Sequence, residues 1–181
     1  MGSYFIVAFC FIRVEERPDY YWALSTFKNQ TVAPSPRVFV SDVEDALKNA
    51  ARDLWPKVTQ LLCVWHVNKN VLTMANKTWR TANGTTKEEK EAISKRHKDF
   101  MTRWHEVVYS KTDQWFIHRW DKLIEDYQID NKDMCEYLGG SKLHKRFQFA
   151  RAYTSQHRSY NTYTNSPVEG MHSVLKQYLG T

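Results

Sequence analysis

Hydrophobic and polar positions alternate with two different periods in the first seventy residues, and these periods predict strands and helices. The continuous apolar run 4–12 predicts a strand buried on both faces, and the runs 37–40 and 61–65 predict two more. Apolar residues at helical spacing follow Pro18 and Ser41, which predicts a helix after each of the first two strands. Strands that alternate with helices indicate an α/β sheet with helices on its faces. Since only three strands are visible, we expect the sheet to be incomplete.

The pattern changes after Val67, where helical periodicity takes over. Thr85-Thr86-Lys87-Glu88-Glu89 offers a capping-box start, and the pair Gly139-Gly140 is predicted to end a short fourth helix. We expect the Trp and Phe residues of these helices to form a core rather than platforms for nucleic-acid bases. The predicted helices cover 68–81, 86–107, 116–127 and 134–138, followed by a helix with a basic side over 143–152 and an exposed polar loop over 153–166.

The last predicted helix begins after Ser166, which suits an N-cap, with Pro167 at the first helical position. Glu169 falls at the third position of that capping box, so a structural role explains it without any chemistry. The whole pattern predicts three segments. They are a partial α/β core over 1–70, an all-helical insertion over 71–152, and a return to the core over 153–181 that carries Glu169.

Composition points towards a polyanionic partner. The chain has a formal charge of +6 and an isoelectric point near 9.2, with 7 Trp, 10 Tyr and 9 Phe residues. Such a protein suits the phosphates and stackable bases of nucleic acid, although helix faces rich in lysine would give the same charge. Solvated surface is likewise the alternative for the basic residues that we select as DNA contacts, which are Lys142, Lys145, Arg146, Arg151 and Arg158.

Cysteine usage and hydropathy bear on the compartment. Cys10, Cys63 and Cys135 are odd in number and widely separated, which argues against a disulfide framework and for a reducing compartment such as the cytosol or nucleus. The N-terminal apolar run is shorter than the roughly 20 residues that a transmembrane helix needs. It also lacks the basic start of a secretory signal. We therefore expect no membrane partner.

Polar residues follow two of the predicted strands. Asp42 comes directly after the strand 37–40, and Cys63 and His66 lie at the end of the strand 61–65. The carboxyl ends of strands in open α/β sheets are where ligands and metals are held. Asp42 and the distant Glu169 are acids of the kind that fold together around two divalent ions about 4 Å apart in phosphoryl transfer. Carboxylate oxygens suit Mg²⁺ or Mn²⁺.

In their order along the chain, these motifs resemble those of the Mutator-like (MULE) transposases. The resemblance rests on Val40-Ser41-Asp42 with Ala46-Leu47-Lys48-x-Ala50, on Trp55-Pro56, on Leu62-Cys63-x-Trp65-His66-x-x-Lys69-Asn70, and on Thr164-Asn165-Ser166-Pro167-Val168-Glu169-Gly170-x-His172-x-x-Leu175-Lys176. Phe9-x-Phe11-Ile12, Glu16 and Tyr21-Trp22-Ala23-Leu24 also match. The resemblance therefore covers nearly the whole chain.

The resemblance implies an RNase H-like fold, here with an incomplete sheet, interrupted by a large all-helical insertion. Asp42 would be the second acid and Glu169 the third of the family's DDE triad, which binds Mg²⁺ or Mn²⁺. Cys63 and His66 match its C-x-x-H motif, and His172 follows the third acid. That motif would position DNA or brace the site. Structural zinc, which needs four ligands, and a plain core cysteine with a hydrogen-bonded histidine are the alternatives.

The chain departs from the family at the first acid, since no Asp precedes Asp19. We therefore expect an N-terminally truncated and catalytically impaired copy of a domain that cleaves and transfers DNA strands in transposition. The alternatives are a domesticated, non-catalytic DNA-binding or transcription-regulatory module and a non-functional remnant. The expected partner is DNA at transposon terminal inverted repeats, in the nucleus, and a homo-oligomer stays open.

Overall fold

The computed structural model describes residues 7–32, 34–80 and 86–157. The fold is mixed α/β and mostly helical, and its sheet within these ranges has two parallel strands. The chain divides into two compact units. The described residues up to Trp65, together with His157, belong to the first, and residues 66–156 form the second. The domain limits at 70 and 152 and the RNase H-like assignment stay predictions.

The first unit is built around two short strands joined by a helix. Its elements are α1 (Arg17–Gln30), β1 (Val38–Ser41), α2 (Asp45–Leu54) and β2 (Thr59–Leu62), and α3 (Val64–Arg80) follows. β1 and β2 pair in parallel, from Val38 opposite Thr59 to Ser41 opposite Leu62. The helix between them is the crossover that parallel strands require. The predicted strand over 37–40 and the helix after it are confirmed.

The predicted strand over 61–65 lies two residues too late. The N–H of Thr59 already donates to the carbonyl oxygen of Arg37, at 2.9 Å, and the strand ends at Leu62. Val64 and Trp65 belong to α3. Apolar side chains alone could not separate the end of the strand from the start of the helix, because both are buried or half-buried here.

α2 packs against α1, and polar contacts join the two helices. The guanidinium of Arg17 lies 2.6 Å from the carboxylate of Asp53, and the ammonium of Lys28 donates to the carbonyl oxygen of Leu54 at 3.1 Å. Ala50 and Ala51 of α2 are fully buried, whereas α1 contains no buried residue. The described contacts between these helices are therefore largely polar.

The predicted N-terminal strand is wrong for the part that the structure describes. Residues 7–12 have no regular secondary structure, and Val7, Phe9 and Phe11 are 58%, 47% and 77% exposed. A strand needs a neighbouring strand to pair its main-chain groups, and within the described residues β1 pairs only with β2. Residues 4–6 of that prediction lie outside the described residues.

The second unit is helical. It contains α3 from residue 66 onwards, α4 (Lys87–Val108), α5 (Asp113–Tyr127) and α6 (Lys132–Ser141), then a short 3₁₀ turn (Leu143–Lys145) and the one-turn helices α7 (Arg146–Phe149) and α8 (Arg151–Thr154). The four long helices that the periodicity predicts are confirmed. So is the capping box of α4, in which Thr86 and Glu89 exchange hydrogen bonds. No helix in the described ranges is both long enough and apolar enough to cross a bilayer.

Three predictions at the end of this unit are wrong. Gly139 and Gly140 lie inside α6, which continues to Ser141, because buried Leu138 anchors the helix and no cap interrupts it. The predicted helix 143–152 is broken instead, since the backbone of Ala150 is extended at φ −76° and ψ 134°. Tyr153, expected in an exposed loop, is 9% exposed.

The core of the second unit is aromatic. Phe100 contacts Trp79 and Tyr127 with ring centres 5.0 and 5.2 Å away, and Trp104 packs on Phe149 at 6.0 Å. Apart from Trp79, which is 8% exposed, these side chains are essentially inaccessible to water. Each such ring pair adds about 0.5–1.5 kcal/mol beyond the area it buries. The prediction that Trp and Phe residues of this segment form a core is confirmed for Trp79, Phe100, Trp104 and Phe149. It is wrong for Trp115 and Phe147, which are 55% and 51% exposed.

Candidate functional site

The carboxyl ends of β1 and β2 lie side by side, because the strands are parallel and in register. Ser41 pairs with Leu62, and the carbonyl oxygen of Ser41 accepts a 2.6 Å hydrogen bond from the N–H of Cys63. Asp42 is the next residue after β1, as Cys63 is after β2. The structure thus brings two predicted site residues to one edge of the sheet, the edge where open α/β sheets hold ligands.

The carboxylate of Asp42 is fixed by the main chain just ahead of α2. Its Oδ1 accepts a 3.2 Å hydrogen bond from the N–H of Glu44, two residues on. Asp is suited to such a turn because its short side chain reaches the following backbone. Within the described residues, the other carboxylate oxygen accepts no hydrogen bond. The side chain is partly buried, so one oxygen is held and the other is free to bind a ligand.

A tyrosine from α1 reaches the same turn. The hydroxyl of Tyr20 donates to Glu44 Oε2 at 2.6 Å. Burial raises the pKa of Tyr20 above its ordinary value, and so do the hydrogen bond to Glu44 and the charges of Glu44, Glu15 and Asp42. The phenol therefore stays protonated at neutral pH and acts as a hydrogen-bond donor that fixes the Glu44 carboxylate close to Asp42.

Sequence reasoning missed the pair of Tyr20 and Glu44. By its spacing Tyr20 belongs to the apolar stripe of the helix after Pro18, and its partner Glu44 is 24 positions away, just ahead of another helix. The available signal was the spacing of Asp42 and Glu44. Two acids that flank one residue at the end of a strand predict a local concentration of negative charge, and such a concentration needs a donor or a cation.

An ion pair between a buried lysine and an exposed aspartate lies in the first turn of α2. Lys48 is 7% exposed, and its ammonium lies 2.5 Å from the carboxylate of Asp45. Gln60 of β2 donates through its side-chain amide to the carbonyl oxygen of Lys48 at 2.7 Å. The hydrogen bond from Gln60 ties α2 to β2. The turn that carries Asp42 is therefore held at both ends, by the strand before it and the helix after it.

Cys63 and His66 flank the start of α3, which begins at Val64. Cys63 is fully buried, and His66 lies in the first turn of α3, partly buried. Both side chains make contacts. Within 7–32, 34–80 and 86–157, no group of three His, Cys, Asp or Glu residues could hold a metal ion. The role of the C-x-x-H motif stays a prediction.

The third predicted acid cannot be placed. Glu169, His172 and Arg158 lie outside the described residues. The convergence of Asp42 and Glu169 on shared metal ions therefore remains a prediction.

The predicted DNA-contact segment offers an uneven surface. Lys142 is 5% exposed, with its ammonium 4.9 Å from the ring centre of Tyr137, so it has little surface to present to a phosphate. Arg146 is partly buried and stacks on Phe147, 4.2 Å from its ring centre. Lys145 is partly buried and Arg151 is exposed. Three of the four described cations thus keep accessible surface.

Comparison with known proteins gives a partial but consistent result. The MULE transposase domain family matches residues 1–70, which include both strands and Asp42. Protein FAR1-RELATED SEQUENCE 2 of Arabidopsis thaliana is 21% identical over 75% of the chain. A PKS-NRPS hybrid synthetase of Chaetomium globosum is 22% identical over 99% of it. No solved structure matches.

The two relatives are far longer than this chain. The chain spans 15% of the Arabidopsis protein and 4% of the Chaetomium protein. Similarity over so small a share of a protein relates one segment to this chain and carries nothing of the rest of that protein.

Proposed function

Because residues 1–70 match the MULE transposase domain family, we propose that the chain acts on DNA by metal-dependent strand cleavage and transfer. The observation that carries the proposal is the Asp42 carboxylate, held at the carboxyl end of a parallel strand with one oxygen free of hydrogen bonds within the described residues. That is where an α/β sheet of the RNase H-like kind would hold its ligands.

Asp42 and Glu169 would hold Mg²⁺ or Mn²⁺ in this proposal, since hard divalent cations prefer carboxylate oxygens. When bound, such ions activate the attacking oxygen and stabilise the leaving oxygen of a phosphodiester. Asp42 fits a ligand role because its local hydrogen bond leaves an oxygen available. Tyr20 would act as a positioning residue, because its hydroxyl holds Glu44 rather than the substrate. Cys63, His66 and His172 would brace the site.

The DNA backbone would be held by the basic residues that keep accessible surface. Lys145, Arg146 and Arg151 are supported by their exposure, and Arg158 by the sequence alone. A chain with a net charge of +6 attracts DNA at long range without selecting a sequence. We propose that the target is DNA at transposon terminal inverted repeats in the nucleus. Size-exclusion chromatography of the DNA complex would show whether a second copy of the chain takes part.

The test is nicking of supercoiled plasmid in Mn²⁺ by the full chain and by Asp42→Asn. The asparagine keeps an oxygen that can accept from the N–H of Glu44, so the turn is preserved and only the charge is lost. Loss of a metal ligand that supplies several kcal/mol should slow nicking on the order of 10²-fold. Asp53→Asn is the matched control, because Asp53 lies in the same unit and only pairs with Arg17 at the surface.

Equal nicking by wild type and Asp42→Asn would exclude Asp42 as a ligand. DNA binding that persists in EDTA, with no nicking under any metal, would instead support the non-catalytic DNA-binding module. Purified protein should be compared with the two variants at matched concentration, so that a contaminating nuclease shows as activity that no substitution changes.

A further inference from the structure

The outer face of α5 carries aromatic and basic side chains in a single stripe. Trp115, His118, Arg119 and Lys122 recur at the i, i+3, i+4 and i+7 positions and therefore lie on one side of the helix. The other side, with Phe116, Trp120, Leu123 and Tyr127, is buried in the aromatic core. We call the outward-facing four residues the Trp115 stripe.

Trp115 is exposed, but its ring contacts two neighbouring side chains. It is 55% exposed, in contrast to the fully buried Trp104 of the core. The guanidinium carbon of Arg119 lies 5.4 Å from the centre of its ring, and the His118 imidazole meets it edge-on at 5.8 Å. A cation within about 6 Å of an indole is attracted by its ring electrons. The indole is thus held between two neighbours while more than half of the residue stays open to a ligand.

Arg119 is held in place from α4. Its Nη1 donates to the carbonyl oxygen of Glu106 at 2.9 Å and lies 3.3 Å from the hydroxyl of Ser110. Both acceptors are neutral, and no carboxylate pairs with Arg119 within the described residues. The guanidinium therefore keeps its full charge in a fixed position, which is the condition under which arginine binds phosphate with little loss of conformational entropy.

A cleft of about 240 Å³ between α4 and α5 extends the stripe. Three of its lining residues are cations and one is an acid, in the set Arg103, Glu106, Trp115, His118, Arg119 and Lys122. Arg103 and Lys122 are neutralised by carboxylates, since both contact Asp126 and each contacts a second acid, Asp99 for Arg103 and Glu125 for Lys122. Arg119 is therefore the main source of uncompensated charge beside the open indole.

An open indole beside a fixed cation matches one ligand chemistry well. Unpaired bases stack on aromatic side chains, and the backbone phosphates of the same strand meet the cations alongside. Bases of a duplex are stacked on each other and cannot reach the indole. We propose that the Trp115 stripe binds single-stranded DNA, with a base on Trp115 and a backbone phosphate at Arg119. This proposal deepens the proposed function and rests on it for the identity of the nucleic acid.

The test measures anisotropy of a labelled oligothymidylate of about 12 nucleotides, within the usual size of single-strand sites, in EDTA. Trp115→Ala should raise the dissociation constant about 5- to 100-fold, since a stacked base contributes that much on removal of its platform. Trp22→Ala is the matched control, because Trp22 is 56% exposed on α1 and no cation stacks on it within the described residues. Trp115→Ala should weaken binding of a duplex of equal length less than it weakens binding of the single strand.

Two more variants separate stacking from charge. Trp115→Phe should restore most of the affinity, because a phenyl ring still stacks. A plot of the logarithm of the association constant against the logarithm of the salt concentration has a negative slope. Arg119→Ala should reduce the magnitude of that slope by about one, whereas Trp115→Ala should leave it unchanged. If Trp115→Ala fails to give a cooperative thermal transition, Trp115→Phe and Arg119→Ala decide the matter in its place.

Equal affinity losses in Trp115→Ala and Trp22→Ala would overturn the proposal. So would equal losses for duplex and single strand, which would fit a protein-binding face or general charge instead. If the Trp115 variants bind as wild type does but Asp42→Asn still abolishes nicking, only the single-strand site is wrong. If Asp42→Asn nicks as fast as wild type but Trp115→Ala still weakens binding of the single strand, only the catalytic proposal is wrong.

Discussion

The two units differ in what holds them together. The largest fully buried side chains, among them Trp104, Tyr127 and Phe100, all come from residues 66–156. In the first unit, α1 contains no fully buried residue, and Tyr21 and Trp22 on that helix are exposed. The buried apolar residues described in this unit are fewer and mostly smaller, and polar pairs lie beside them. They are Ala50, Ala51, Trp55, Leu61, Leu62, Cys63 and Val64.

The difference matters because apolar burial stabilises in proportion to area, whereas exposed polar pairs add little. We therefore expect the second unit to open only with global unfolding and the first to open locally at a lower free energy. The predicted catalytic carboxylate lies in the less stable unit and the Trp115 stripe in the more stable one. Paired substitutions, followed by hydrogen exchange in each unit, test this contrast.

The largest effect should come from two tryptophans in opposite settings. Trp104→Ala removes a fully buried indole that packs on Trp120 and Phe149 and donates to the side chain of Asn68 at 2.9 Å. The second unit should lose about 3–5 kcal/mol, as is usual for Phe or Trp to Ala in a core. Trp22→Ala should change stability by less than about 0.5 kcal/mol, because the residue is mostly exposed.

Urea denaturation gives the free energies, and hydrogen exchange of peptides from α4 and α5 shows which unit is affected. A Trp104→Ala loss below that of Trp22→Ala would mean that the aromatic cluster does not stabilise the helical unit. The contrast between the units would then be wrong.

Two tyrosines give a closer comparison, because each donates to one carboxylate. Tyr127 is fully buried and bonds Asp99 at 2.7 Å, whereas Tyr20 is partly buried and bonds Glu44. Tyr127→Phe keeps the ring beside Phe100 and removes only the hydroxyl. It should cost about 1.5–3 kcal/mol, the range for hydrogen bonds to charged groups, and Tyr20→Phe should cost less because water can replace its bond.

The same pair predicts a pH dependence. Burial and the bond to Asp99 raise the pKa of Tyr127 above its ordinary value near 10. A raised pKa in the folded state favours the neutral phenol, so its contribution is complete below about pH 10 and falls as the pH rises beyond it. Tyr127→Phe should lose less stability than wild type between pH 9 and 11. An identical decline in both proteins would show that the Tyr127 hydroxyl does not titrate with unfolding.

The helical unit was predictable from sequence because its signals are local. Apolar residues three and four apart placed α4 and α5, and the Thr86 capping box marked the start of α4. Gly139 and Gly140 misled the prediction. Each costs a helix about 1 kcal/mol relative to alanine, but burial of Leu138 in the same turn offsets that loss.

The sheet unit was harder to predict because its contacts are between distant residues. The run 4–12 has the composition of a buried strand, yet its described part pairs with nothing. Asp42 was found because the end of a strand is visible in sequence. The Tyr20 hydroxyl on Glu44 was not, because it joins two elements that no periodicity relates.

The smallest expected effect concerns the helix starts of the two units. The Thr86 side chain accepts from the N–H of Glu89, whereas the corresponding residue of α1, Glu16, makes no such bond. Thr86→Ala should therefore destabilise the second unit by about 1 kcal/mol, the usual value for a lost cap, and Glu16→Ala should leave the first nearly unchanged. Adding a cap with Glu16→Ser should stabilise α1, and exchange of its first-turn amides should slow. If Glu16→Ala instead costs as much as Thr86→Ala, the start of α1 is held by contacts other than its cap, and the sheet unit is more stable than its burial indicates.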